Sequence, residues 1–338
     1  MSEFRNSAFY KPSSVKLEFV RGCNRKCEFC ATNGITAEHA HMTMETLERV
    51  VTLIKESGYN PRIQIDGRGE HTLHPNFYAM VKKIKEIIPT SCIQLISNGW
   101  LVQHSEHAIP KMLKAGINDI TLDEYFDSHF DPEYVQKEIA LYTKKTGNKV
   151  DFFIMGPGVP MYGEKNPNKR RVVIVPDISA GQITVSRKLT NQCGAGMPPN
   201  DEYKDRVCTR VFREVPIRYD GNMVLCCQDF RDQFVIGNIN DVDTFDELWR
   251  SDRFEAARRI LYHDHRTFFP CNICNLIPIR PGLLPDHLGK EDMEVPTKKD
   301  YKLVEKKIET GLELRPRKWE EKNGITTAKN LNLKKKRK

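Results

Sequence analysis

The 338-residue sequence has no run of about 18 apolar residues, the length a membrane-spanning helix needs, so no membrane segment is expected. Its first residues, Met1-Ser-Glu-Phe-Arg-Asn6, lack the apolar stretch that heads a secretory signal. A cytoplasmic location, and with it a reducing compartment, is the expectation. Cysteine is nearly missing from the middle of the chain, where Cys92 alone separates Cys30 from Cys193. In a reducing compartment such grouped cysteines read as metal ligands or catalytic groups rather than disulfides. Net positive charge has little of its source outside one place: of the net +8, five charges come from the last five residues, Lys334 to Lys338, which are all basic. That tail reads as a solvated, disordered end, and nucleic-acid binding is not expected of it.

With 39% apolar and 29% charged residues, the composition is that of an ordinary globular chain. Strand-like and helix-like patterns alternate from Ser14 to Met155. Ser14–Val20, Arg62–Asp66, Cys92–Ser97, Asp119–Asp123 and Val150–Met155 read as strands. Helical stripes lie between them, the first capped by Thr43 and carrying Met44, Leu47, Val50, Val51 and Ile54. Val172–Val175 offers a sixth strand, after loop-rich residues 156–171. This rhythm gives an α/β fold with a parallel sheet, open or closed into a barrel. Beyond about residue 190 the chain becomes turn-rich, with a helix predicted from Thr244 to Leu261 and no core element from Pro281 onward. No internal repeat is evident.

Cys23-Asn-Arg-Lys-Cys27-Glu-Phe-Cys30 has the spacing C-x3-C-x2-C in the loop after the first strand. Three thiolates can hold three irons of a cubane and leave the fourth open, whereas a zinc site would need a further ligand such as His39 or His41. Here the chain resembles the radical S-adenosylmethionine (SAM) superfamily, whose signature adds an aromatic residue before the third cysteine, the place of Phe29. Asp66-Gly-Arg-Gly-Glu-His71 is similar to that family's Gly-Gly-Glu segment, although Arg68 and His71 depart from the usual wording. Ser97-Asn98-Gly99 and Thr121-Leu-Asp123 resemble its third- and fourth-strand motifs. The resemblance implies a partial (β/α)6 radical SAM barrel over residues 1–190. It also implies a 4Fe-4S cluster on Cys23, Cys27 and Cys30, SAM held by Phe29, Gly69, Glu70, Ser97 and Asn98, and a 5′-deoxyadenosyl radical as product of SAM cleavage.

Later, Cys208 is followed by C-x12-G-x4-C spacing to Cys226, and much later by Cys271-Asn-Ile-Cys274. Four thiolates suit zinc or a closed four-iron cluster equally well. The pattern resembles the auxiliary-cluster region of SPASM and twitch proteins, here a small cysteine-rich α+β domain over residues 191–280. That likeness implies a second 4Fe-4S cluster on Cys208, Cys226, Cys271 and Cys274. Cys227 competes with Cys226 for the ligand role, Cys193 belongs to neither set, and residues 281–338 form a C-terminal extension. Cys193 is a plain buried thiol or a hydrogen-atom donor.

Asp123, with Glu124 and Tyr125, falls where the ribose of SAM or the substrate would lie, and His71 and His74 flank the SAM segment. The expectation is a radical SAM oxidoreductase in which the second cluster accepts an electron. Dehydrogenation of a sugar or cyclitol alcohol, or modification of a peptide, would fit; so would a redox-neutral rearrangement. A non-catalytic zinc or iron–sulfur interaction module is the rival from another class. A flavodoxin or ferredoxin is the expected external reductant, with a small molecule or peptide as the other partner.

Overall fold

The computed structural model describes residues 11–27, 30–34, 39–125, 127–176, 190–196, 208–263, 266–276 and 294–306. The first alternating run becomes β1 (Ser14–Leu17), buried throughout. Just beyond it, β2 (Val20–Arg21) pairs antiparallel with β3 (Ala40–His41). Thr43 caps α1 (Met44–Glu56), its hydroxyl oxygen accepting the Thr46 N–H at 3.1 Å while Leu47, Val50, Val51 and Ile54 are buried. The rhythm continues with β4 (Arg62–Ile65), α2 (Phe77–Ile87), β5 (Ile93–Ser97), α3 (Trp100–His104), α4 (Ala108–Ala115) and β6 (Asp119–Asp123). Next comes α5 (Pro132–Thr146), opened by the Asp131 carboxylate and closed by Gly147 in the left-handed region. β7 (Asp151–Ile154) and β8 (Arg171–Val175) follow. The second part holds β9 (Glu214–Ile217), β10 (Asn222–Val224), β11 (Val235–Asn238), α6 (Phe245–Trp249), α7 (Asp252–His263) and α8 (Lys298–Glu305).

Nine of the strands form one sheet in the order β11-β10-β9-β1-β4-β5-β6-β8-β7. From β9 to β7 every pairing is parallel, and β10 and β11 join antiparallel. Two features depart from chain order. β8 lies inside β7, because Val172–Ile174 are buried while Asp151 and Ile154 of β7 are exposed, and the apolar run takes the covered position. β9 pairs directly with β1, so a single sheet crosses from the first half of the chain into the second. Pro216 argues against a strand in the sequence; β10 pairs with β9 only at Ile217, so the missing N–H breaks no long ladder.

The predicted Thr244–Leu261 helix is two helices, α6 behind a Thr244–Glu247 capping box and α7 after a break at Arg250–Ser251. The extension contributes α8, which the Lys/Glu-rich composition concealed; it buries Val304 and ties Asp300 to Arg259 at 2.5 Å. The basic tail lies outside the described residues. Among the described residues no helix is long and apolar enough to cross a membrane.

Alternate strand residues divide the sheet into two faces. Val15, Leu17, Ile63, Ile65, Ile93, Leu95, Ile120 and Leu122 join the apolar core with the helices. Lys16, Gln64, Gln94 and Thr121 occupy the other face and are buried too. Lys16 is ion-paired with Asp66, and Gln64 donates to Gln94 at 2.7 Å. At the C-terminal edge of this polar face, Gly22 N–H donates to Arg68 O and Glu70 N–H to Gly22 O, both at 3.0 Å. A Cβ on Gly69 would stand 2.2 Å from Gly22 O and 2.5 Å from Val20 O. Glycine is required there by backbone on both sides. Gly69→Ala is expected to cost about 3 kcal/mol through overpacking, against about 1 kcal/mol for Gly58→Ala, left-handed at φ +68 but in open space. Urea denaturation at constant m reads both, and equal losses would refute the backbone clash.

Candidate active site

Cys23, Cys27 and Cys30 lie in the loop that follows Gly22, so the Gly22–Gly69 bridge sets their place. The Asn98 side-chain amide donates to Asn24 Oδ1 at 2.9 Å and stands 3.5 Å from Cys23 Sγ. Arg25 N–H donates to Cys23 Sγ at 3.4 Å, and the Cys30 thiol donates to Thr32 Oγ1 at 3.3 Å. Burial pushes the Cys23 thiol up to about 11, and Glu70, Cys30 and Cys27 act in the same direction. Burial raises Cys27 as well. A bound metal ion favours the thiolate form that burial disfavours at Cys23 and Cys27, which is the chemistry of a metal cluster's ligand set. Phe29 lies outside the described residues.

Glu70 is 1% exposed and fully engaged. Its Oε1 accepts from Ser97 Oγ at 2.8 Å and from Thr72 Oγ1 at 2.5 Å, and its Oε2 from Asn98 N–H at 2.7 Å. The carboxylate thereby ties the loop after β4 to the end of β5. Ser97, Asn98, Gly69 and Glu70 thus meet beside Cys23, as their order along the chain predicts. His74 is a cap, bonded to Met42 O at 3.0 Å and accepting Asn76 N–H at 3.0 Å. His71 is fully buried; Nδ1 accepts Val20 N–H at 3.2 Å and Nε2 finds no partner among the described residues.

Asp123 ends β6 on the polar face, two residues beyond Thr121, whose hydroxyl also lacks a partner among the described residues. Burial raises the Asp123 carboxyl well above the usual range, and Asp66 and Glu70 add to this. Glu124 instead closes its own loop by accepting Phe130 N–H at 2.8 Å. Tyr125 lies under the Arg25 guanidinium, 4.4 Å from the ring centroid.

The second cysteine set also comes together. Cys208 and Cys226 feel one another's charge, as do Cys271, Cys208 and Cys274. Arg266 donates to the carbonyls of Cys274 and Leu276 at 2.7 and 2.6 Å, pinning the C-x2-C turn. Cys227 hydrogen-bonds to Cys226, and Arg210 Nη1 is 3.5 Å and Glu214 Oε2 3.6 Å from its sulfur, with Lys16 nearby. Cys193, assigned to neither set in the sequence, is buried and hydrogen-bonded to Cys274. A left-handed turn at Gln192, Cys193 and Gly194 brings it there. The same turn lets Gln192 Oε1 accept Ala31 N–H at 2.8 Å, next to Cys30, while Asn191 and Asn275 exchange hydrogen bonds at 2.6 and 3.1 Å. Asp229, three residues after Cys226, is buried and accepts the N–H groups of Gln233 and Phe234. Among the described residues no three His, Cys, Asp or Glu are grouped to grip a single ion; a cubane takes one thiolate per iron and does not require that closeness.

Sequence reasoning passed over Glu18, Arg218 and Asp232, all buried: both carboxylates are ion-paired with Arg68 and with Arg218. The available signal was a charge set between apolar neighbours, Leu17-Glu18-Phe19 and Pro216-Ile217-Arg218, since a buried charge demands a partner.

A family model described as the radical SAM superfamily matches residues 17–158, and an iron–sulfur cluster-binding SPASM domain matches residues 208–275. Among curated relatives, a GTP 3′,8-cyclase of Microcystis aeruginosa is 25% identical over 183 residues, 52% of each chain. The chain thus spans about half the length of that relative. The S-adenosyl-L-methionine-dependent 2-deoxy-scyllo-inosamine dehydrogenase of Niallia circulans is 21% identical over 272 residues, covering 79% of this chain and 94% of its own. Among solved structures, that of BtrN in complex with AdoMet and 2-DOIA superposes with a TM-score of 0.58 at 19% identity, over 79% of this chain and 94% of that one.

Burial lowers the pKa of His71, so the folded protein holds it neutral. The unfolded chain takes up its proton below about pH 6.5, and stability falls as the pH drops through that value. His74 acts in the same direction. His71→Asn, which keeps an acceptor for Val20 N–H, is expected to flatten the acid limb of stability between pH 7 and 5. Urea midpoints across that range measure it, and an unchanged slope would exclude His71 as a contributor.

Proposed function

We propose, starting from a chain that belongs to the radical SAM superfamily and carries a SPASM iron–sulfur domain, that it performs a two-electron oxidation of a small polar substrate. Its two domains imply 4Fe-4S clusters and SAM as cofactors. When bound, these supply the 5′-deoxyadenosyl radical that removes a substrate hydrogen atom, and accept the electron left behind. In this reading residues 1–190 form the SAM-cleaving core, residues 191–280 the auxiliary domain and residues 281–338 an extension.

The observation that carries the reading is that one turn bridges the two cysteine sets, Gln192 accepting Ala31 N–H beside Cys30 while Cys193 hydrogen-bonds to Cys274. Cys23, Cys27 and Cys30 would hold the first cluster with one iron open. Gly69, Glu70, Ser97, Asn98 and Phe29 would seat SAM beside it. Cys208, Cys226, Cys271 and Cys274 would hold the second cluster and leave no iron open, as suits electron transfer. Cys226 is preferred to its hydrogen-bonded neighbour Cys227 as the ligand for its spacing from Gly221, and because Arg210 and Glu214 already engage the Cys227 sulfur. Asp123 is the group to take the proton released when an alcohol becomes a carbonyl, since it has no ion partner among the described residues and its carboxyl has a raised pKa. Cys193, bonded to Cys274, serves the second cysteine set rather than a substrate radical, which favours oxidation over a redox-neutral outcome.

Lys16, Gln64, Gln94, Thr121 and Asp123 on the polar face suit a hydroxyl-bearing sugar or cyclitol better than a peptide chain. The likeness to a dehydrogenase of an aminocyclitol along nearly its whole length supports this class. A flavodoxin or ferredoxin would supply the reducing electron. After anaerobic reconstitution the chain is expected to bind about eight irons and to release 5′-deoxyadenosine when given SAM and a strong reductant. Cys27→Ala should abolish that release, whereas Cys271→Ala should keep about four irons and the cleavage. Bound zinc with no cleavage of SAM would overturn the reading.

A further inference from the structure

Arg68 stands where the SAM-loop wording departs from its family, and it takes no part in the loop's own hydrogen bonding to Ser97 or Asn98. Its guanidinium instead closes a ring of four buried charges. Nε and Nη2 of Arg68 grip Glu18 Oε2 and Oε1 at 2.7 and 2.9 Å. Nη1 reaches Asp232 Oδ2 at 2.7 Å and Phe230 O at 3.1 Å. Arg218 completes the circuit, Nε to Asp232 Oδ1 at 2.8 Å and Nη1 to Glu18 Oε2 at 3.3 Å. Exposure of the four residues is 1% for Glu18, 0% for Arg68, 1% for Arg218 and 6% for Asp232. The ring is electrically neutral, with two carboxylates facing two guanidiniums.

Its members come from four places: the end of β1, the Gly67–Glu70 loop, the end of β9, and the turn that follows Cys226. Asp232 adopts a left-handed φ of 49° there, a conformation with a cost that is repaid only if the side chain is needed where it points. Apolar contact would join these segments with less desolvation, but it allows sliding. Directional ion pairs fix register, which is the best-attested use of buried charge.

We propose that Arg68 is a positioning residue: the ring holds the Cys226–Asp232 turn at a set distance from the SAM loop, and so fixes the spacing between the two cysteine sets. The spacing of the clusters those sets would hold, and with it the rate of electron passage between them, then depends on a side chain that touches neither. This extends the proposed function and rests on it only in the last step.

The test compares Arg68→Lys and the milder Asp232→Asn with Arg258→Lys. Arg258 is equally buried, but its bonds to Val211 O, Trp249 O and Glu255 all stay within the second half of the chain. In the metal-free protein, amide exchange over residues 226–234 is expected to rise about tenfold in both ring variants and to stay unchanged in Arg258→Lys. In the reconstituted protein, the magnetic interaction between the two reduced clusters should weaken in the ring variants alone. Unchanged exchange in that turn, an equal rise in Arg258→Lys, or an unaltered magnetic interaction would each overturn the proposal. A wild-type chain that takes up no second cluster refutes the proposed function and, with it, the electron-passage step, while the exchange measurement still decides what the ring holds.

Discussion

Two backbone hydrogen bonds between Gly22 and the Arg68–Glu70 turn decide where the chemistry of this protein can stand. They exist because Gly69 carries no Cβ at the contact, and because β1 and β4 lie side by side and deliver both loops to the same sheet edge. From that pairing the cysteine loop acquires its position. Glu70 then spends both oxygens on Thr72, Ser97 and Asn98, and Asn98 reaches back to the cysteine loop through Asn24. These contacts thus assemble three segments that are distant in sequence.

The second half of the chain is joined to this edge by polar contacts. β9 extends the sheet by ordinary strand pairing, but the loops above it are joined by side chains: the four-charge ring at Arg68, and the 190–196 turn that links Ala31 to the Cys274 region. Each is buried, and a buried polar group is costly unless satisfied, so such links tolerate few alternative arrangements. Residues that a cluster would need held still are therefore held by contacts that fail abruptly rather than gradually.

Much of this was legible in the sequence. Strand–helix alternation gave the parallel sheet through β6, Thr43 gave the start of α1, and the order of Cys23–Cys30, Gly69-Glu70 and Ser97-Asn98 gave the first site. What escaped depends on long-range competition. The exchange of β7 and β8 turns on which of two apolar runs is better covered, and β9 hides behind Pro216. The ring's pairing could not be read because three of its four ion pairs join residues 50, 164 and 200 positions apart, and composition carries no record of such distances. Cys193 looked solitary for the same reason; only its left-handed turn delivers it to Cys274.

The pairing of β9 with β1 has a consequence for how the molecule is made. β1 leaves the ribosome about 200 residues ahead of its neighbour on one side, Glu214–Ile217, a lead on the order of 10–40 s at usual synthesis rates. Throughout that interval one edge of the nascent sheet offers unpaired N–H and C=O groups to any other growing chain. Lys16 lies on that strand, and a charge there discourages foreign pairing. The lysine that ends as an ion-paired group beneath the active site thus begins as a guard on an open edge.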